Sequence, residues 1–364
     1  MESLSENERE EIFECIHEML EEYIESNATL LSKKNYMELF TGHVSNYVEV
    51  LAKHEEWYQE EDTFLEELIE NACVQCFQNL AIPLRESSPY YTYDMKDYEI
   101  EHELTRISEY PNHEQRSSEW YNQRHNLFSA SNLWKLFSTS SQFNSLIYEK
   151  CKDTDIRKFG NDILAPTSLN WGIKYEPVSI ILYEYKNKTK VNTNYGCIPH
   201  ETLPIGASPD GIVCDKNSCK YGSMVEIKNI YNRDIDGVPS EEYWIQIQTQ
   251  LEVARLYKCD FVETRIKEYE NKEEYIQDDT VEYKGIILFF LPRDSHEQEN
   301  CFKYMPIEFS GKRDEEEKWI QETEKEMENT HLLYQTTYWY LDEYSCVEVL
   351  RNEHWFQSTI PYIK

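Results

Sequence analysis

Between residues 206 and 269 the hydrophobic pattern changes period twice, and this alternation constrains the fold more than any other feature of the chain. Gly206 to Cys214 and Met224 to Ile230 are β-rich runs. A stretch from about Glu241 to Tyr257 follows, with Trp244, Ile247 and Leu251 at helical spacing, and Phe261 to Tyr269 returns to strand character. Strands interrupted by a helix must bury their apolar faces against one another, which predicts an α/β or α+β sheet domain. The same texture extends outward. Helical patterns cover Ser117 to Gln123, Ser129 to Phe137, Phe143 to Lys150 and a segment through Tyr183. Further strands are expected at Val191 to Ile198 and Tyr283 to Leu291, with a charged helix from Asp314 to Glu328.

Residues 5 to 80 read differently. Ile12, Phe13, Ile16, Met19, Leu20, Tyr23 and Ile24 form one helical stripe after caps expected at Ser3 or Ser5, and similar stripes recur at Val44 to Leu51 and Phe64 to Leu80. Acidic residues fill the opposite faces, which predicts solvated surfaces, with docking of a basic partner as the alternative. Pro83 to Tyr98 reads as an extended connection. The expected organisation is an acidic helical extension over 1–105 and a second domain over 106–364.

Charge bears on function through its distribution. The 364-residue chain carries a net charge of −33. Its first hundred residues hold 24 acidic and 6 basic side chains, and the remaining 264 hold 45 and 30. A chain this acidic does not attract nucleic acid through a global field, so any such contact must use a local basic groove or bound metal ions. No run of about 18 apolar residues predicts a membrane span. The acidic N-terminus lacks the pattern of a secretory signal, so the expected setting is intracellular. Ten scattered cysteines predict free thiols. Cys73 and Cys76 have the spacing of half a zinc site but fit the apolar face of a helix better, and no iron–sulfur cluster is expected.

The chemistry concentrates in Gly206-Ala207-Ser208-Pro209-Asp210-Gly211 followed by Met224-Val225-Glu226-Ile227-Lys228. Asp210-Gly211 is a turn signal, which places Asp210 where a strand bends. Glu226 and Lys228, two apart on one strand, project from one face, while Val225 and Ile227 point into the core. Two carboxylates and an ammonium then surround one point. Asp210 and Glu226, with the backbone carbonyl of Ile227, suit a hard divalent cation, and Lys228 could orient or deprotonate a water or stabilise a charged phosphate. Alone, this spacing also fits a hairpin with surface charges. Its neighbours narrow the choice. Trp120 and Arg124 precede Ser129-Ala130-Ser131; Gly172 and Glu176 open onto Pro177, which must fall in a first helical turn or kink its helix; a Tyr-x2-Gln-x-Gln run at Tyr243, Gln246 and Gln248 leads to Gln250, which shares a helical face with Gln246.

In this order the motifs resemble the YqaJ-like viral recombinase family, the phage lambda exonuclease-like members of the PD-(D/E)XK nuclease superfamily. The resemblance covers roughly residues 115 to 270, with a C-terminal part like relatives from large DNA viruses. It implies a restriction-endonuclease-like mixed sheet flanked by helices. It also implies a Mg²⁺- or Mn²⁺-dependent exonuclease, with one or two ions, that digests linear duplex DNA from the 5′ end in viral recombination, replication or repair. By the same resemblance Asp210, Glu226 and Glu176 hold metal, Lys228 is the catalytic lysine and Gln246 lines the site. Arg124 engages a 5′-phosphate, and Ser129, Ser131 and Ser208 line the same site. A single-strand annealing protein, a homo-oligomer and a host cytoplasmic or nuclear location are further implications. The rivals are a structure-specific or RecB-like endonuclease and, in another class, a non-catalytic acidic scaffold.

Overall fold

A computed structural model describes residues 6–54, 64–83, 95–111, 113, 118–152, 167–294 and 300–364. The N-terminal stripes become helices α1 (Glu6–Ser26), α2 (Tyr36–His54) and α3 (Phe64–Asn79), with a 3-10 turn at Ala28–Ser32. In α1 the residues turned fully inward are Ile12, Ile16, Leu20 and Ile24, spaced one turn apart. Cys73 and Cys76 lie buried on α3 as free thiols. Burial above all pushes both thiols up to about 12, with Cys76 adding for Cys73, and Glu21 and Glu25 for Cys76. The proposed caps Ser3 and Ser5 lie outside the described residues, as does most of the connection after Pro83.

Part of that connection is helical. Helix α4 (Asp97–Ser108) begins inside it and runs across residue 105. Its Arg106 donates to the carbonyls of Val253 and Ala254 at 3.0 and 3.1 Å, and its Ile100 fills the space beside Gly222. Gly222 has φ +77°, and a Cβ there would come within 2.7 Å of Ile100, so glycine is required on both counts.

The remaining elements build two sheets. In chain order they are α5 (Ser118–His125), β1 (Phe128–Ser129), α6 (Ala130–Leu133), α7 (Ser140–Cys151), α8 (Ser168–Asn187), β2 (Val191–Asn192), β3 (Ile198–Pro199), β4 (Ile205–Ala207), β5 (Gly211–Val213) and β6 (Met224–Asn229). Then follow α9 (Glu241–Ala254), β7 (Lys258–Glu268), α10 (Lys272–Gln277), β8 (Lys284–Pro292), β9 (Cys301–Tyr304), α11 (Arg313–Met327), β10 (His331–Leu350) and α12 (Glu353–Ile363). Among the described residues the larger sheet has the order β2-β5-β6-β7-β10-β8-β9, and the smaller one β1-β4-β3. β6 and β7 are parallel, and α9 is the crossover between them.

Alternation along β6 sorts its side chains. Val225 and Ile227 pack with Val213, Val262 and the α8 residues Ile180 and Tyr183. Met224 belongs to the other face, in a core with Phe261 of β7 and Trp244, Ile247 and Leu251 of α9. That core is continuous with the apolar stripes of α1, α2 and α3 and with Trp355 and Phe356 of α12. The mixed sheet flanked by helices and the helical N-terminal extension are therefore both present.

Several expectations need correction. Val191 to Ile198 is not one strand but two short pieces, β2 and β3, in different sheets. Gly206 to Cys214 is likewise divided, because the chain leaves β4 in the small sheet and enters β5 in the large one at Ser208 to Asp210. Gly211 is not a positive-φ turn residue; a Cβ there would approach Val191 to 2.3 Å, so glycine serves close strand packing. Pro177 lies mid-helix in α8, nine residues after its first position, which removes the first-turn alternative and leaves that of a kinked helix. The 20-residue strand β10 pairs its first half with β8 and its second with β7, bulging at Leu333/Gln335 and Leu341/Glu343.

Candidate active site

Glu226 is the centre of the arrangement. It stands on β6, the strand that feeds the α9 crossover, and is 1% exposed. An isolated carboxylate so deeply buried is strongly disfavoured, so its oxygens must find partners. Lys228 Nζ donates to Oε1 at 2.6 Å, and Gln246 Nε2 reaches the same oxygen at 2.5 Å. Gln250 Nε2 donates to Oε2 at 2.7 Å. The two glutamines are one helical turn apart on α9, which is why both meet a single strand residue. Lys228 Nζ also lies 3.4 Å from Gln246 Oε1 and 4.7 Å from the Tyr243 ring centre.

Asp210 enters from the crossing between the sheets. Its Oδ2 accepts the backbone N–H of Ile227 at 2.7 Å, which ties the bend to the middle of β6. Burial pushes its carboxyl well above the usual range, and the carboxylates of Glu226 and Glu176 add to that rise, against a smaller opposing pull from Lys228. For Lys228 burial works against the ammonium. Glu226 and Asp210 outweigh it, so the lysine is held protonated above its ordinary range.

These groups share one pocket of about 230 Å³, lined by Trp120, Arg124, Ala130, Ser131, Glu176, Ser208, Asp210, Glu226, Ile227, Lys228, Gln246 and Gln250. Arg124 stacks over Trp120 at 4.4 Å and donates to Ser131 Oγ at 3.4 Å. Ser129 is not in the lining; it stands behind Ser131, Oγ to Oγ at 3.2 Å. The other proposed site residues are therefore brought together from α5, α6, α8, the β4–β5 crossing, β6 and α9. Gln250 and Trp120 belong with them. Helical spacing was the available signal, since Gln250 follows Gln246, and Trp120 precedes Arg124, by four residues.

The donor set suits a hard divalent cation. Three carboxylates and the backbone of Ile227 border a space where their mutual repulsion raises Asp210, and a bound cation would relieve that conflict. Among the described residues no three His, Cys, Asp or Glu side chains already form a ready-made cage. Both oxygens of Glu226 are engaged by protein donors. No helix among the described residues is long and apolar enough to cross a membrane.

Residues 119–256 match the family model of the YqaJ-like viral recombinase domain. An uncharacterized protein of Acanthamoeba polyphaga mimivirus is 26% identical over 318 residues, which is 75% of this chain and 56% of that protein. The chain thus spans little more than half the length of that relative. Two solved structures of the alkaline exonuclease LHK-Exo from Laribacter hongkongensis, one in complex with dAMP, are each 22% identical. They match 58% of this chain and 95% of theirs, at a TM-score of 0.32. Trp120, Arg124, Glu176, Asp210, Glu226, Lys228 and Gln246 all lie within the stretch that is similar to the YqaJ-like viral recombinase domain.

Proposed function

We propose that this chain is a metal-dependent DNA nuclease that digests linear duplex DNA from its 5′ ends during viral recombination, replication or repair. The observation that carries the reading is the buried Glu226 carboxylate, held by Lys228, Gln246 and Gln250 beside Asp210 and Glu176 in one open pocket. A group buried at such electrostatic cost without gain in packing points to chemistry.

Glu176, Asp210 and Glu226, with the Ile227 carbonyl, would hold Mg²⁺ or Mn²⁺. When bound, the metal supplies Lewis-acid activation of the scissile phosphate and of water. The protein's own groups do the rest. Lys228 presents a fixed ammonium to the negative charge that grows on the phosphate and orients the attacking water. Gln246 and Gln250 keep Glu226 in one orientation, so its carboxylate need not reorganise as the reaction proceeds. Arg124, pinned on Trp120, offers a planar cation to a strand end. Ser131 and Ser208 offer hydroxyls around it. An annealing protein that takes up the resulting 3′ overhang, a homo-oligomer on the DNA, and action in host cytoplasm or nucleus fit the same reading.

The test compares 5′-phosphorylated linear duplex with closed circular DNA, with and without Mg²⁺. Loss of the linear DNA alone, abolished by EDTA and by Glu226→Ala, is expected. Cleavage of the circle as well would favour an endonuclease. Equal activity in Glu226→Ala would overturn this site, and no activity in the wild type would leave the acidic scaffold as the better reading.

A further inference from the structure

The C-terminal end of α8 borders a second cavity, of about 1030 Å³, that the reading above does not use. Lys186, Lys188 and Lys190 line it, and no other five-residue window of the chain holds three lysines or arginines. Tyr185, Tyr283 and Tyr304 line the same space. Lys188 caps α8 in left-handed backbone, φ +49°, a conformation that favours glycine, so a lysine stands there at some backbone cost. Thr189, 4% exposed, also borders the cavity, and its hydroxyl has no hydrogen-bond partner among the described residues.

The acids around the cavity are largely committed. Glu184 accepts from Lys190 Nζ at 2.7 Å and from the Val191 N–H at 2.8 Å. Asp215 accepts from the N–H of Asn217 at 3.0 Å, within its own turn. Glu308 is exposed and acts on Lys190. Among the described residues neither Lys186 nor Lys188 forms an ion pair. Lys186 lies over Tyr283 instead, 4.4 Å from its ring centre, and that ring meets Tyr185 edge-on at 6.1 Å. Tyr185 is 46% exposed.

Three lysines against three carboxylates leave the cavity near neutral, too little charge to hold a duplex by its phosphates. Lysines beside tyrosine rings suit an unpaired strand, whose bases offer faces for stacking and whose phosphates each offer one charge. The cavity is also tied to the active site through α8. Glu176 and Lys186 are ten residues apart on that helix, roughly 15 Å. Between them Tyr304 feels both ends: burial raises its hydroxyl above the ordinary range, and the Glu176 charge adds to that.

We infer that the cavity at the C-terminal end of α8 binds single-stranded DNA, with Lys186 and Lys188 on its phosphates and Tyr185 stacked on a base. The inference rests on the nuclease reading for its place in the reaction, because digesting one strand of a duplex leaves the other unpaired.

The experiment measures anisotropy of a short labelled oligothymidine, and of a blunt duplex of equal length, on the full chain in EDTA. The wild type should bind the single strand more tightly. Lys186→Gln combined with Lys188→Gln should weaken that binding about tenfold and lower its log–log salt slope by about 1.4, as for two lost phosphate contacts. Tyr185→Ala should weaken it about tenfold, as for one lost base stack, and Tyr185→Phe should restore it. These side chains are exposed, so melting temperatures should stay close to that of the wild type. A wild type that prefers the duplex, or variants that bind the single strand as the wild type does, would overturn the inference. So would equal losses on both ligands. Digestion of linear duplex with Mg²⁺ separates the two readings. Single-strand binding lost in the variants, without digestion by the wild type, supports the cavity and removes the nuclease. Digestion without such binding does the reverse.

Discussion

The acidic helices at the N-terminus and the pocket beside β6 use the same side chain in opposite ways. In α1, Glu11, Glu14, Glu18, Glu22 and Glu25 lie on the exposed face while Ile12, Ile16, Leu20 and Ile24 turn inward. Water solvates those carboxylates, and they need no protein partner to persist. In the pocket Glu226 is buried against Asp210 and Glu176 and depends on Lys228, Gln246 and Gln250. Most of the −33 charge is therefore a surface property, and the buried carboxylates, Glu226 among them, each depend on protein partners.

Four variants can break or sharpen this contrast. The largest effect is expected from Asp210→Asn, which should lower metal-dependent DNA digestion about a thousandfold, because a metal-holding charge is lost. Its melting temperature should stay level or rise, since the amide can still accept the Ile227 N–H and carries no buried charge. A large drop in melting temperature would mean that the carboxylate is structural. Leu20→Ala in α1 should have the converse signature. The side chain is fully buried, so stability should fall by about 2–5 kcal/mol in denaturant titration, with the rate per folded molecule nearly unchanged. Rate loss beyond that caused by unfolding would tie the extension to the site.

Gln250→Leu should come next. It removes one donor from a buried carboxylate, a contact of about 1.5–3 kcal/mol, and so should slow digestion roughly tenfold to a hundredfold. An unaltered rate would show that Lys228 and Gln246 orient Glu226 unaided. The smallest effect belongs to the triple change Glu14→Gln, Glu18→Gln and Glu22→Gln on the outer face of α1. Stability should move by no more than about 0.5 kcal/mol and digestion not at all. A larger shift in either would contradict a merely solvated face.

Local patterning made much of this readable in advance. The stripes of α1 and α3 were plain because each repeats over several turns, and β6 was plain because Glu226 and Lys228 alternate with Val225 and Ile227. The misses share another character. β10 carries exposed Leu332, Leu333 and Tyr334 at one end and a mixed, half-buried pattern after them, since it serves two neighbours with opposite needs. β2 and β3 are two residues each, too short for any period to emerge. Gly211 looked like a turn residue but answers to Val191, twenty residues away.

The sequence by itself determined the chemical inventory around Asp210 and Glu226-Ile227-Lys228, because alternation in a strand assigns faces from neighbouring residues alone. Tertiary structure decided how those groups meet. Only the α9 crossover sets Gln250 on the second oxygen of Glu226, and only the approach of α7 sets Lys150 on the carbonyl of Arg124. The junction of α4 with the end of α9 through Arg106 is of the same kind. Such contacts join segments tens of residues apart, and their register comes from packing of the whole core, which no local period encodes.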